Sequence, residues 1–174
     1  MRYLNLVKCG VVSSLFGLLT ACVSESSTTG GVSISEVNTS DCKTSVSRAD
    51  TRPEYYQEIS EKRTTLTLIP GVTNEVVGQF TDVQNNCIIG RFHVDITRNG
   101  DELVLIIYPE LDMLTDCVCL YDIGFKVKEL EAGSYHLKVY HTTSKRNLDK
   151  SNMIYNGSIK IDSQKSITIP MDKR

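Results

Sequence analysis

The spacing of apolar positions along the chain is that of β-strands over most of its length. From residue 64 onward, apolar and polar side chains alternate in short runs, the pattern of strands with one buried face. These runs cover 64–69, 75–80, 88–97, 103–108, 117–127, 134–141, 154–161 and 166–169. They predict an all-β fold: an antiparallel, disulfide-stapled β-sandwich of about seven to eight strands, with a small β-barrel as the alternative.

Two segments refine this prediction. Asn99-Gly100 separates the runs 88–97 and 103–108, and this dipeptide favours a tight hairpin because both central residues of a type I′ turn need positive φ. The run 103–108 is almost entirely apolar, which indicates a central strand. A single helix is predicted over residues 50–63, where acids come early and bases late, with an exposed loop as the alternative.

The N-terminal segment has the pattern of an export signal. Arg2 and Lys8 precede an apolar run over 10–19, which is shorter than the roughly 20 residues needed to span a bilayer. The segment ends in Leu19-Thr20-Ala21-Cys22, which resembles the lipobox of bacterial lipoproteins. The resemblance implies removal of residues 1–21 as a lipoprotein signal peptide, and attachment of fatty acyl chains, such as palmitate, to Cys22. Several acyl chains on one residue give stable membrane anchoring. The alternative is an ordinary secretory signal with a chance cysteine.

Residues 22–40 are predicted to form a lipidated, flexible tether. Nine of the eighteen residues from 23 to 40 are Ser or Thr, too polar a composition to drive folding. The β-sandwich domain is accordingly expected to occupy residues 41–174. Val23 stands where an aspartate would favour retention in the inner membrane. We therefore expect an envelope protein anchored in the outer membrane rather than the inner one. The sequence does not indicate whether the domain lies on the periplasmic or the surface side of that membrane.

The charge balance excludes two classes of partner. The chain has 19 basic and 21 acidic residues, and removal of Arg2 and Lys8 leaves 17 basic against the same 21 acidic residues. Such a chain lacks the basic excess of nucleic-acid binders. It also lacks the charge that attracts proteins to anionic lipid, so membrane attachment is expected through the acyl chains alone.

Four cysteines remain in the predicted domain, since Cys9 leaves with the signal. An exported domain with an even cysteine count is expected to form disulfides. Cys117 and Cys119 are alternate strand residues about 6.5–7 Å apart, which disfavours a bond between them. Two pairings stay open: Cys42–Cys117 with Cys87–Cys119, or Cys42–Cys119 with Cys87–Cys117.

The sequence Cys117-Val118-Cys119 also admits a metal hypothesis. Two thiolates at this spacing could bind copper or zinc, with further ligands from Cys87, His93, Asp116 or Asp122. A lone C-x-C is a weak signal, and no histidine pair has a useful spacing. We therefore predict no metal and no cofactor.

A ten-residue motif supports the sandwich. The segment 130–139 resembles the L-x-x-G-x-Y-x-L-x-V segment of immunoglobulin-like and fibronectin-type domains. The resemblance implies that Tyr135 enters its strand at a corner and bonds back to upstream backbone. The chain as a whole resembles uncharacterised small envelope lipoproteins in which a C-x-C-x-Y-D strand precedes an L-x-x-G-x-Y strand. That resemblance implies a cellular location and a fold, but no biochemical activity.

The sequence contains no signature of catalysis. It lacks a nucleophile elbow, a phosphate loop, H-E-x-x-H and a dinucleotide fingerprint. Asp112, Asp116 and Asp122 are interpreted as solvated or structural carboxylates. The candidate partner patch is apolar and lies in the loop 109–116, with capping of the sandwich as the alternative; its residues are Leu111, Met113 and Leu114.

These observations predict a non-catalytic binding or assembly module. It would be held to the envelope by its lipid anchor, and its partner would be an envelope protein or a glycan. One alternative is an envelope inhibitor or structural protein. The other is a metal-binding or enzymatic lipoprotein that uses Cys117 and Cys119.

Overall fold

The computed structural model describes residues 31–47, 59, 61–111, 113 and 115–172. This part of the chain contains ten strands and a 3₁₀ turn at Lys150–Asn152. The strands are β1 (Ser33–Thr39), β2 (Ser45–Ser47), β3 (Thr65–Pro70), β4 (Val76–Asn86), β5 (Ile89–Asn99), β6 (Glu102–Leu111), β7 (Cys117–Lys128), β8 (Gly133–His141), β9 (Met153–Ile161) and β10 (Ile167–Pro170). No helix in the described residues is long and apolar enough to span a membrane.

The strands form two sheets that pack face to face. The large sheet has the order β1-β7-β4-β3-β10, and β2 pairs with the first residues of β7. The small sheet has the order β5-β6-β8-β9. The predicted all-β sandwich is therefore confirmed, and each of the eight runs expected from the sequence forms a strand.

One strand pair departs from the expected antiparallel arrangement. β6 and β8 are parallel neighbours, with Glu102 opposite His136 and Ile107 opposite His141. The chain leaves β6, forms β7 in the other sheet, and returns to start β8 at the end where β6 starts. Because this crossover runs between sheets, β6 and β8 point the same way.

The core lies between the two sheets and is built from the alternating faces predicted from the sequence. Phe80, Phe92, Ile107 and Ile123 are almost completely buried. Every second residue of β7 from Cys119 to Val127 is buried as well. Burying an aliphatic or aromatic side chain of this size stabilises the fold by about 1.5–3 kcal/mol. Burial of these alternating side chains is therefore the main source of the sandwich's stability.

A smaller apolar cluster lies on the outer face of the large sheet. Leu120 points away from the main core and is buried against Val46 of β2 and Ile59. Of the stretch 50–63, predicted as a helix, the structure describes only Ile59 and residues 61–63. The predicted helix thus lies essentially outside the described residues.

The folded part of the chain begins earlier than the sequence predicts. Strand β1 starts at Ser33, inside the segment 22–40 that was expected to be a tether. Its Ser/Thr-rich composition does not favour a strand, but β1 pairs along the edge of β7, and Val32 and Ile34 pack against the core. Pairing and packing override composition here. Residues 22–30 lie outside the described part of the chain.

The tyrosine of the ten-residue motif lies at a corner. Tyr135 is buried at the start of β8, and its hydroxyl donates a hydrogen bond to the carbonyl oxygen of Glu131 at 3.0 Å. The guanidinium of Arg98 lies 5.3 Å from the ring centroid. The ring therefore ties the β5–β6 hairpin and the β7–β8 turn to the start of β8.

The two ends of the sandwich differ in their contents. Ser33 lies opposite Lys128 at the end of β7, so the chain enters at the end that carries the β3–β4, β5–β6, β7–β8 and β9–β10 turns. We call this end the amino-terminal pole. The opposite end carries the β4–β5, β6–β7 and β8–β9 connections and all four cysteines of the domain. We call it the disulfide pole.

Candidate functional site

The four cysteines of the domain are paired in one of the two ways left open by the sequence. Cys42 bonds Cys119 and Cys87 bonds Cys117, with Cα–Cα distances of 5.7 and 5.4 Å. Strand β2 runs beside the first residues of β7, which brings the β1–β2 connection to Cys119. The backbone N–H of Cys87 donates to the carbonyl oxygen of Cys117. The predicted disulfides are thus confirmed, and no thiol of the described residues is free to act as a nucleophile or a metal ligand.

The next residue of the C-x-C-x-Y-D motif is also engaged in structure. The Tyr121 hydroxyl lies 3.0 Å from the carbonyl oxygens of both Asn86 and Cys87. Burial raises the pKa of this hydroxyl. The tyrosine therefore stays neutral and fixes the β4–β5 connection beside the Cys87–Cys117 bond.

Asp122, the last residue of the motif, holds a bulge of β4 in place. Asp82 has a positive φ of 59° where the β4–β7 register shifts, and its backbone N–H donates to Asp122 Oδ1 at 3.1 Å. The ammonium of Lys43 lies 2.6 Å from Asp122 Oδ1 and 2.7 Å from Asp82 Oδ1. Burial opposes the charge of Lys43, yet the two carboxylates raise its pKa above the usual value. Lys43 thus occupies the position between the acids that a metal ion would need.

The other predicted ligand and partner residues do not gather around the cysteines. His93 lies on the outer face of the small sheet, stacked on Tyr108 with ring centroids 5.1 Å apart. Asp116 is exposed. Within the described residues, no group of three or more His, Cys, Asp or Glu is arranged to hold a metal ion.

The predicted apolar patch is only partly within the described residues. Met113 is 62% exposed. Leu111 ends β6, but its side chain, like the whole of Asp112 and Leu114, lies outside the described residues. Thr115 bonds to Asn86 through both its hydroxyl and its carbonyl oxygen, which fixes the last part of this loop to β4.

A concave feature of the described residues lies elsewhere, on the outer face of the large sheet. It is a trough of about 410 Å³ that runs between β1 and β4 across β7. Gly124 forms the floor because it carries no side chain between Asp122 and Lys126, its neighbours on the same face of β7. The walls come from β1 and the residue after it, and from β4; they are formed by Glu36, Asn38, Thr39, Ser40, Val77 and Gln79.

A distortion of β1 shapes one wall of this trough. The β1–β7 register shifts between Ser35 and Asn38, and Glu36 has a positive φ of 55°. The Asn38 side chain donates to the carbonyl oxygen of Glu36 at 3.1 Å. At the end of the wall, Ser40 Oγ accepts a hydrogen bond from the Asp122 N–H at 2.9 Å. The bulge is therefore braced within β1 by Asn38, and the wall is fixed to the floor strand at Ser40.

The charged side chains around the trough are paired, with one acidic charge in excess: Glu36, Asp82 and Asp122 against Lys43 and Lys126. Lys126 and Glu36 form an ion pair at 2.6 Å at one end, and the hydrogen bond to Glu36 raises the pKa of the lysine. Lys43 is paired with the two aspartates at the other end. A trough with paired lysines and an excess acid is poorly suited to phosphate or nucleic acid, which need uncompensated bases.

Uncharged hydrogen-bonding groups remain available. Gln79 Oε1 lies 3.4 Å from the position of a Cβ on Gly124, which places it over the floor. Within the described part of the chain, neither this oxygen nor Asn38 Oδ1 accepts a hydrogen bond. The arrangement offers planar amide groups to a ligand that carries hydroxyls.

No sequence motif marks the residues of this trough, so it was not predicted. One signal was present: Gly124 interrupts the alternating strand between Ile123 and Phe125. A glycine inside a strand often marks a close approach of another backbone or a ligand.

Comparison of the chain with protein-family models, curated proteins and solved structures finds no match. The resemblances to bacterial lipoproteins and to immunoglobulin-like domains therefore stay predictions from the sequence.

Proposed function

We propose that the protein is a lipid-anchored, non-catalytic binding module of the bacterial envelope and that the trough is its ligand site. One observation carries the proposal. The side chains of the C-x-C-x-Y-D strand are used for disulfides, backbone hydrogen bonds and an ion pair, whereas amide oxygens over the trough floor lack partners in the described residues. The lipobox Leu19-Thr20-Ala21-Cys22 supports the anchor.

The ligand class that best suits the trough is an uncharged glycan of the envelope. Amide side chains recognise neighbouring hydroxyls through paired hydrogen bonds, and Asn38 and Gln79 supply such groups. Val77 adds an apolar surface for the C–H face of a sugar ring. The volume falls in the range of about 300–1,000 Å³ that is usual for small-molecule sites.

A side chain placed on the floor tests this proposal. Gly124 accepts a Cβ, since its nearest neighbour is the flexible end of Gln79 at 3.4 Å. Gly124→Leu should therefore fold and fill the trough. Full-length lipidated protein in detergent would be titrated with polysaccharide from its own envelope, and we expect Gly124→Leu to weaken binding at least tenfold.

Ser158→Leu is the matched control, because Ser158 is exposed on β9 of the other sheet. It should bind glycan like the unchanged protein. Equal binding by Gly124→Leu would contradict the trough as the site. Retention of an envelope protein instead of glycan, abolished by Gly124→Leu, would overturn the ligand class but leave a binding role in the trough.

A further inference from the structure

The described chain begins beside an exposed turn. Ser33 lies opposite Lys128 at the end of β7, and Val127 in turn lies opposite Val76, the first residue of β4. The backbone N–H of Leu130 donates to the carbonyl oxygen of Asn74 at 2.9 Å. The segment that leads back to Cys22 therefore leaves the domain at the amino-terminal pole, next to the β3–β4 turn.

The length of that segment limits how the domain can sit on a membrane. Nine residue steps separate Cys22 from Gly31. Fully extended they reach about 30 Å, and as a flexible chain about 15–18 Å on average. Strand β7 has 12 residues and joins the two poles, a length of about 36 Å at strand spacing. A domain that stood with its disulfide pole on the bilayer would hold Gly31 about 36 Å from the surface, beyond the reach of this segment while acyl chains on Cys22 remain inserted.

The β3–β4 turn carries the apolar surface of this pole. Val72 is 85% exposed, more than any other large hydrophobic residue of the described chain, and Ile69 beside it is 45% exposed. Thr73 and Asn74 both have positive φ, near 58° and 59°, which gives the turn a defined shape that projects Val72 outward. An exposed valine at a loop tip gains no stability from burial in the fold and stays available for contact with a membrane.

The charged side chains of the amino-terminal pole indicate which kind of lipid surface this pole can contact. Acidic side chains outnumber basic ones in the turns of this pole: Glu75, Asp101, Glu129, Glu131 and Asp162 against Arg98, Lys128 and Lys165. Attraction to anionic head groups is therefore excluded as the driving force. The remaining contribution to membrane affinity comes from the apolar side chain of the turn.

We propose that the β3–β4 turn is the membrane-docking edge of the domain, with Val72 in the head-group region of the bilayer that holds Cys22. The proposal rests on the lipid anchor of the proposed function. It assigns a zwitterionic lipid surface to this pole. The disulfide pole then points away from the membrane, and the trough, midway along β7, opens to the side.

The composition of the chain supplies a clean probe. It contains no tryptophan, so a single introduced tryptophan is the only one. Val72→Trp would be compared with Met113→Trp, which lies in the β6–β7 connection at the disulfide pole and is 62% exposed in the native protein. Lipidated full-length protein would be placed in phosphatidylcholine vesicles with brominated acyl chains, which quench only nearby fluorophores.

We expect the fluorescence of Val72→Trp to shift to the blue and to be quenched at least twofold, with Met113→Trp unaffected. Equal quenching of the two variants, or quenching of Met113→Trp alone, would overturn the orientation.

Flotation separates the two proposals, with Cys22→Ala as the unlipidated control. Failure of the processed protein to float with vesicles would overturn the anchor itself. Flotation without quenching of Val72→Trp would overturn only the docking edge.

Discussion

Replacing Cys42 and Cys119 together by alanine is expected to lower the free energy of unfolding by about 4.5 kcal/mol, because the bond closes a long loop in the unfolded chain. The two residues are 77 positions apart. For a domain of this size the loss corresponds to a fall in melting temperature of roughly 10–20 °C. Urea unfolding of the variant and the unchanged protein would measure it.

The second disulfide supplies the control for this prediction. Cys87 and Cys117 are 30 positions apart, and the same entropy argument gives about 3.7 kcal/mol for their replacement by alanine. Only Cys42–Cys119 restrains the end of the trough wall, through the β1–β2 connection. We therefore expect glycan affinity to fall in the Cys42/Cys119 variant and to persist in the other. Losses below 1 kcal/mol in both variants would contradict the structural role of the cysteines.

Gly78→Ala is expected to destabilise the domain by about 1–3 kcal/mol or more, the usual cost of overpacking a core. A Cβ at residue 78 would lie 2.2 Å from Cζ of Phe125, which is opposite it on β7. The Phe125 ring is buried and stacked on Phe80 at 5.7 Å, so it has no free space into which to move. Chemical denaturation would measure the loss.

Gly124→Ala is the matched control for Gly78→Ala. Both glycines lie inside neighbouring strands of the large sheet, but a Cβ on Gly124 meets only Gln79 Oε1 at 3.4 Å. Because alanine restricts the unfolded chain more than glycine does, this variant should be unchanged or more stable by up to about 1 kcal/mol. Equal losses in the two variants would show that Phe125 does not depend on the space above Gly78.

The eight runs of period two were sufficient to predict the sandwich, because each of those strands buries one face. Strand β1 could not be found in this way, since its side chains alternate poorly and its stability comes from the edge of β7. The parallel pairing of β6 with β8 was equally hidden, because it depends on where a crossover between sheets returns. The local sequence pattern thus predicts which segments form strands better than it predicts which strands pair with each other.

The candidate site was harder to predict than the fold. Cys117 and Cys119 share one face of β7, so spacing alone left two pairings open until the position of β2 decided between them. The trough depends on a missing side chain at Gly124 and on the bulge at Glu36, and neither has a chemical signature in the sequence. Asp122 was interpreted as structural, and its bond to the bulge at Asp82 agrees with that.

The central claim is that the cysteines anchor and brace a binding domain rather than perform chemistry. Intact-mass spectrometry of the protein extracted from its own membrane, with and without a thiol-alkylating reagent, tests it most directly. We expect a chain that begins at Cys22, carries acyl chains there, and takes up no alkylating reagent before reduction. A chain that retains residues 1–21, or alkylation of Cys117 and Cys119 without reduction, would contradict the account.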